Sequence, residues 1–119
     1  MIKKILFITD NAPYASISAK ETLDAALVGA AFGQEVSLLF RGDGIYQLVK
    51  NQDPSSLPQK SIGAALTALE IYDIKQVFAC QHSLHSRGLD INDLIIAVQI
   101  FKPEQVADLM ESQDHILTF

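Results

Sequence analysis

The chain alternates between short, almost wholly apolar runs and longer segments whose apolar residues recur every three or four positions. Ile5 to Thr9 is a run of the first kind, directly after Lys3 and Lys4. Apolar residues at successive positions, rather than at every second one, fit a strand buried on both faces, as in a parallel sheet. Val36 to Phe40 repeats the pattern. Val77 to Cys80 completes a third strand that starts about Lys75, Leu94 to Val98 reads as a fourth, and Ile116 to Phe119 as a short fifth.

The intervening segments read as helices and turns. Leu23, Ala26, Leu27, Ala30 and Ala31 keep helical spacing, and Ser18-Ala19-Lys20-Glu21 ahead of them matches a capping box. Gly33 stands where a helix ends, and the small residues Ala25, Ala26, Gly29 and Ala30 suit close packing on a sheet. Arg41-Gly42-Asp43-Gly44 predicts a tight turn, with Asp43 capping a short helix marked by Ile45, Leu48 and Val49. Asn51 to Pro58, with its two prolines, predicts a surface loop. Ile62, Ala65, Leu66 and Leu69 mark the next helix, ending near Tyr72-Asp73. Gln81 to Ser86 predicts a helical turn stopped by Arg87-Gly88. Pro103 suits the first position of a last helix, whose apolar face is Val106, Leu109 and Met110. The order β-α-β-α-α-β-α-β-α-β predicts an α/β protein. It implies a single three-layer α/β/α domain over residues 1–119, with a mainly parallel sheet of about five strands and helices on both faces.

Composition adds two points. Of the 119 residues 49% are apolar and only 19% charged, against roughly 25% charged in an average soluble domain. So small and lightly charged a domain keeps apolar surface, which marks a partner interface, so an oligomer is expected. The net charge of −5 argues against nonspecific binding to a phosphate backbone, and no Lys/Arg-rich run offers a direct nucleic-acid contact. The apolar start is too short for a signal peptide, with Asp10-Asn11 following at once. No run approaches the ~20 apolar residues of a membrane helix. The expected location is cytoplasmic, with no membrane partner.

In open α/β sheets reactive groups gather at the carboxyl ends of the strands. Three loops fall there: Asp10 to Tyr14, Arg41 to Gly44, and Cys80 to Gly88. Cys80 is the single cysteine, which excludes a disulfide scaffold. A cysteine just before a helical turn can receive that turn's backbone N–H groups, which favour a thiolate or a persulfide anion. His82, His85 and Arg87 could add positive charge. The alternative reading is a small buried hydrophobe ending a strand. The C-x-H-x-x-H spacing of Cys80, His82 and His85 is not a structural zinc pattern and has no evident fourth ligand. The two histidines read as helix-surface residues, and no metal is expected. Arg41-Gly42-Asp43-Gly44 is neither a dinucleotide fingerprint nor a P-loop, so its glycines read as a turn and a close backbone approach. The loop from Asp10 to Tyr14 lacks the Ser/Thr/Gly pattern of a flavin phosphate cradle, so no cofactor is expected. No Ser-His-Asp set or carboxylate pair stands out.

Taken in order, further features cover essentially the whole chain. They are the opening Lys-Lys-Ile-Leu-Phe strand, Ala12-Pro13, and the helix with Glu21, Leu23, Asp24 and Ala25. Asp43-Gly44 before Tyr46-Gln47-Leu48 follows, then Leu69 with Tyr72-Asp73-Ile74. Cys80 with Ser83-Leu84 and Arg87-Gly88-Leu89 comes next, and Asp114 to Phe119 closes the series. In this order and spacing the chain resembles the TusC/DsrF family, with one DsrE/F-like domain spanning residues 1–119. The resemblance implies a heterohexamer with TusB-like and TusD-like subunits. Such a complex takes persulfide sulfur from an upstream carrier and passes it to a downstream one, toward 2-thiolation of the tRNA wobble uridine. In the DsrF branch it serves dissimilatory sulfur oxidation. Within such a sulfurtransferase complex the resemblance implies that the main catalytic cysteine belongs to the D/E-type subunit. Cys80, seven residues ahead of Arg87-Gly88, then stands in a position similar to that cysteine's. It is either a persulfide carrier in its own right or part of an assembly subunit.

Overall fold

The computed structural model describes residues 2–11, 18–49 and 62–118, with backbone alone at 18, 19 and 62–65. Five strands lie parallel in one sheet: β1 (Lys4–Thr9), β2 (Glu35–Phe40), β3 (Gln76–Cys80), β4 (Gln99–Phe101) and β5 (His115–Thr118). Their order is β4-β3-β2-β1-β5. The helices are α1 (Ser18–Ala31), α2 (Ile62–Ile71), α3 (Gln81–Ser86) and α4 (Pro103–Glu111), with 3₁₀ segments at Gly42–Leu48 and Ile91–Asp93. From β1 to β4 the chain steps always to the same side. After β4 it returns across the sheet and places β5 beside β1. Because parallel crossovers are right-handed, that reversal sends α4 to the face opposite α1 and α2.

The two faces are unequal. On one, Phe7, Leu38, Phe40 and Val77 meet Leu23 and Ala26 of α1, Leu66 and Leu69 of α2, and Leu84 of α3. On the other, Leu6, Ile8, Leu39 and Phe78 meet only half-buried Phe101, Val106, Leu109 and Met110. There the Phe78 ring stacks on Phe101 at 4.2 Å between centroids. Odd and even positions of β1 divide between the two faces, as the pleat requires.

Three helices end in the same way. After α1, Gly33 (φ +84°) donates to the Ala30 carbonyl and Gln34 to Gly29. After α3, Gly88 (φ +68°) donates to His85 and Leu89 to Leu84. After α2 the same Schellman pair runs from Asp73 to Glu70 and from Ile74 to Leu69, but the left-handed position holds an aspartate (φ +63°).

Some expectations need correction. Leu94 to Val98 is not a strand. Leu94 and Val98 are buried anchors of a crossing segment, with Leu94 in an isolated antiparallel bridge to Val49. Ile95 N–H donates to the Leu48 carbonyl at 2.6 Å. Their burial imitated a strand, while the true β4, Gln99–Phe101, is too short to show a pattern. Asp90 N-caps the turn before it, accepting from Asn92 N–H at 2.8 Å. Asp43 does not cap a helix: it lies inside the Gly42–Leu48 turn, whose cap position is Arg41. The Ser18 side chain of the expected capping box, residues 12–14 of the first loop, the proline loop 51–58 and Phe119 lie outside the described residues. Among the described residues, no helix is long and apolar enough to cross a membrane.

Candidate functional site

The site follows from strand register. Thr9 of β1, Phe40 of β2 and Ala79 of β3 stand side by side, and Cys80 pairs with Phe101 of β4. One residue onward, Asp10, Arg41, Cys80 and Phe101 form the next row, at the carboxyl edge of the sheet. Phe40 and Ala79 belong to the α1–α2 core, so alternation turns the Asp10–Phe101 row to the opposite face, the one α4 covers. Sheet, turn and helix thus bring together residues that lie 31 and 39 positions apart in the chain.

Arg41 grips Asp10 side-on. Its Nε donates to Oδ1 at 2.7 Å and its Nη2 to Oδ2 at 3.3 Å. Both side chains are a little over one-third exposed, so the pair is worth at most about 1 kcal/mol of stability. The Arg41 guanidinium is held above its usual range, chiefly by the hydrogen bond to Asp10. Burial opposes this, and the charges of Asp10 and Cys80 reinforce it. Cys80 is therefore within electrostatic reach of Arg41, and its thiol is half-buried.

The expected contact between Cys80 and the following turn is not made. Cys80 occupies the N-cap of α3 with extended backbone (φ −71°, ψ 121°), but its side chain accepts no hydrogen bond from the helix. Arg87 does not turn to the thiol either. It donates to Asp43 Oδ1 at 3.0 Å and to the Ser83 carbonyl at 3.1 Å, and lies 5.8 Å from the Tyr46 ring centre. It braces α3 against the Gly42–Leu48 turn. Ser83 Oγ accepts from Gly42 N–H at 2.9 Å in the same brace. His82 and His85 are exposed on α3, as a helix-surface reading expects. The cation beside the cysteine is thus Arg41, which sequence reasoning placed only in a turn. The signal that could have found it was the repeated strand ending: Thr9-Asp10, Phe40-Arg41 and Ala79-Cys80 each put a charged or reactive residue one step past a buried one.

The Gly42–Leu48 turn closes over the end of β1. A Cβ on Gly44 would collide with the Thr9 carbonyl, so only glycine permits this approach. Gln47, buried beneath the turn, donates from Nε2 to Thr9 Oγ1 at 2.7 Å and to the Asn11 carbonyl at 2.9 Å. These contacts hold the strand ends that carry Asp10 and Arg41. Among the described residues no three His, Cys, Asp or Glu side chains converge as a metal-ligand set.

A half-buried cysteine with an arginine in the next register position, at the carboxyl edge of a parallel sheet, is the candidate site. The family model for DsrE/DsrF-like proteins matches residues 3–119, and the chain belongs to that family. Within it, the chain is 36% identical to a protein named as a TusC homolog of Pseudomonas aeruginosa, over 99% of each chain. It is 32% identical to the intracellular sulfur oxidation protein DsrF of Allochromatium vinosum, over 100% of this chain and 98% of that one. The crystal structure of the ychN protein from E. coli superposes with a TM-score of 0.86 at 25% identity, over 99% of this chain and all of the other. These likenesses make the chain a DsrE/F-like sulfur-relay subunit and bear out the α/β fold with its five-stranded parallel sheet.

Proposed function

We propose that this chain is a subunit of a TusBCD-type complex that passes persulfide sulfur toward 2-thiolation of the tRNA wobble uridine. Its own part is to build that complex beside TusB-like and TusD-like subunits, between upstream and downstream sulfur carriers. The observation that carries the assembly role is the open edge of the sheet. Among the described residues β5 has a strand on one side only, and Ile116 and Leu117, on opposite faces of it, stay 39% and 42% exposed. Phe32 and Ile71, at the far ends of α1 and α2, are more exposed still. Unprotected apolar edges are a liability that a partner subunit removes. The net charge of −5 supports acting on tRNA only through the carriers. Co-expression with the two related subunits should give one assembly with equal copies of each, and deleting the gene should abolish 2-thiouridine in tRNA. A partnerless monomer overturns the assembly role. Intact tRNA thiolation with lost sulfur oxidation would move the assignment to the DsrF branch.

A second reading is supported by Arg41 beside Cys80: the chain carries sulfur itself. The Cys80 thiolate would attack the outer sulfur of an incoming persulfide. A new S–S bond forms at Cys80, the donor's S–S bond breaks, and the donor leaves as a thiolate, with no net oxidation. Loading the complex with sulfur and weighing each subunit tests this. A chain that never gains a sulfur atom sinks the carrier reading.

A further inference from the structure

We propose that Arg41, aimed by Asp10, is a specificity-determining residue that makes Cys80 favour reagents and products bearing negative charge. The inference rests on the carrier reading for its biological use, but its geometry stands apart from it. The ends of three strands, not one, supply the group: Asp10 one residue past β1, Arg41 one residue past β2 and Cys80 the last of β3, in one row. Asp10 takes the Nε–Nη2 side of the guanidinium. No described residue hydrogen-bonds to Nη1, so the end-on fork of Nη1 and the second Nη2 proton can face an anion. The row also lies at the carboxyl edge of the sheet, and its Asp10 end adjoins the place where the strand order reverses between β1 and β5. Open α/β sheets take their ligands at such places.

The class of substrate follows. When sulfur moves to Cys80, the incoming group starts as a persulfide and the product is a Cys80 persulfide, which ionises on its outer sulfur as its proton passes to water. That charge lies beyond Sγ, further from the strand end than the resting thiol. Arg41, whose neighbouring place in the row puts its charge within electrostatic reach of Cys80, can supply the counter-charge. Arg41 does not enter the bond exchange. It supplies the counter-charge, and Asp10 keeps its plane fixed. The structure therefore assigns to this cysteine sulfane sulfur next to negative charge, as in persulfides and thiosulfonates, in preference to neutral disulfides.

The test needs no sulfur loading. In the complex as it assembles, Cys80 alkylation is followed by mass with iodoacetate, an anion, and with iodoacetamide, its neutral counterpart. Arg41→Gln should lower the iodoacetate-to-iodoacetamide rate ratio about fivefold, the loss of one unit charge at the neighbouring strand end in a surface environment. Arg41→Lys, which keeps the charge but not the fork, should fall between the two. In the wild type the ratio should also decline as salt rises from low ionic strength to about 1 M, since the field is screened. That second measurement holds even if R41Q fails to fold. A ratio that is unchanged in the variants, or flat with salt in the wild type, overturns the proposal even if Cys80 gains sulfur. A ratio that falls in a chain that never gains sulfur removes the carrier reading and leaves the charge selectivity of Cys80 standing.

Discussion

The two faces of the sheet are built from the same strands yet differ in how they are closed. The face under α1, α2 and α3 places fully buried leucines and phenylalanines against fully buried helix residues, such as Leu38 and Phe40 against Leu23 and Leu66. The face under α4 buries its strand residues, Leu6, Ile8, Leu39 and Phe78, but no residue of α4 itself is buried. Every residue of β5 is exposed. One face is closed by three helices whose inward residues are fully buried. Among the described residues, the other is covered by one helix of nine residues and ends in an open strand. The Asp10–Arg41–Cys80 row lies on that less covered face, so the candidate site and the thinner packing coincide. The difference teaches that the better-packed core and the candidate site lie on opposite sides of one sheet.

The comparison can be broken by substitution. Leu38→Ala, in the better-packed face, should cost about 4 kcal/mol, read from the denaturant midpoint, because its surroundings cannot close over the cavity. Gly44→Ala should cost about 3 kcal/mol, since the new methyl meets the Thr9 backbone rather than a movable side chain. It should also loosen the strand end that carries Asp10. Leu109→Ala, the matching truncation in α4, should cost only about 1.5 kcal/mol, because that side chain is only partly buried before the change. An equal loss in L38A and L109A would erase the distinction between the faces. The smallest effect runs the other way. Asp73→Gly should raise the melting temperature, a gain of about 0.5 kcal/mol, by giving α2 the residue that α1 and α3 already use at the left-handed position. Its ion pair to Lys75 is almost fully exposed and adds little.

Much of the fold was legible because its signals are local. Continuous apolar runs marked β1, β2 and β3, and Pro103 and Gly33 marked a helix start and a helix end where they occur. β4 was misplaced because burial of Leu94 and Val98 serves a crossing segment, and burial alone does not separate a strand from an anchored loop. The site was legible only in part. Cys80 was visible as a residue type, and the carboxyl edge followed from the fold class. Arg41 as its neighbour was hidden because their adjacency is a matter of register between β2 and β3, which no local pattern records. Arg87, nearer to Cys80 in sequence, was the more obvious cation. It is turned away by Asp43, a partner 44 residues distant.

The return crossing that sets β5 beside β1 also orders the events of folding. β1, β2, β3 and β4 pair in the order in which they occur along the chain, each closing a modest loop. The β5 pairing instead joins Lys4 to Asp114, with the Asp114 amide on the Lys4 carbonyl at 2.8 Å and the Asp114 carboxylate accepting from the Lys4 amide at 2.8 Å. It is the longest-range contact in the sheet, and such contacts are the slow ones in the assembly of a domain. Among the described residues β5 also pairs in the sheet with β1 alone, so it can leave without disturbing the other four strands. Four strands thus form a kernel and the fifth a late, separable addition, the segment expected to open first in the native ensemble. An element that joins last and parts first can exchange its neighbours at low cost to the rest of the molecule.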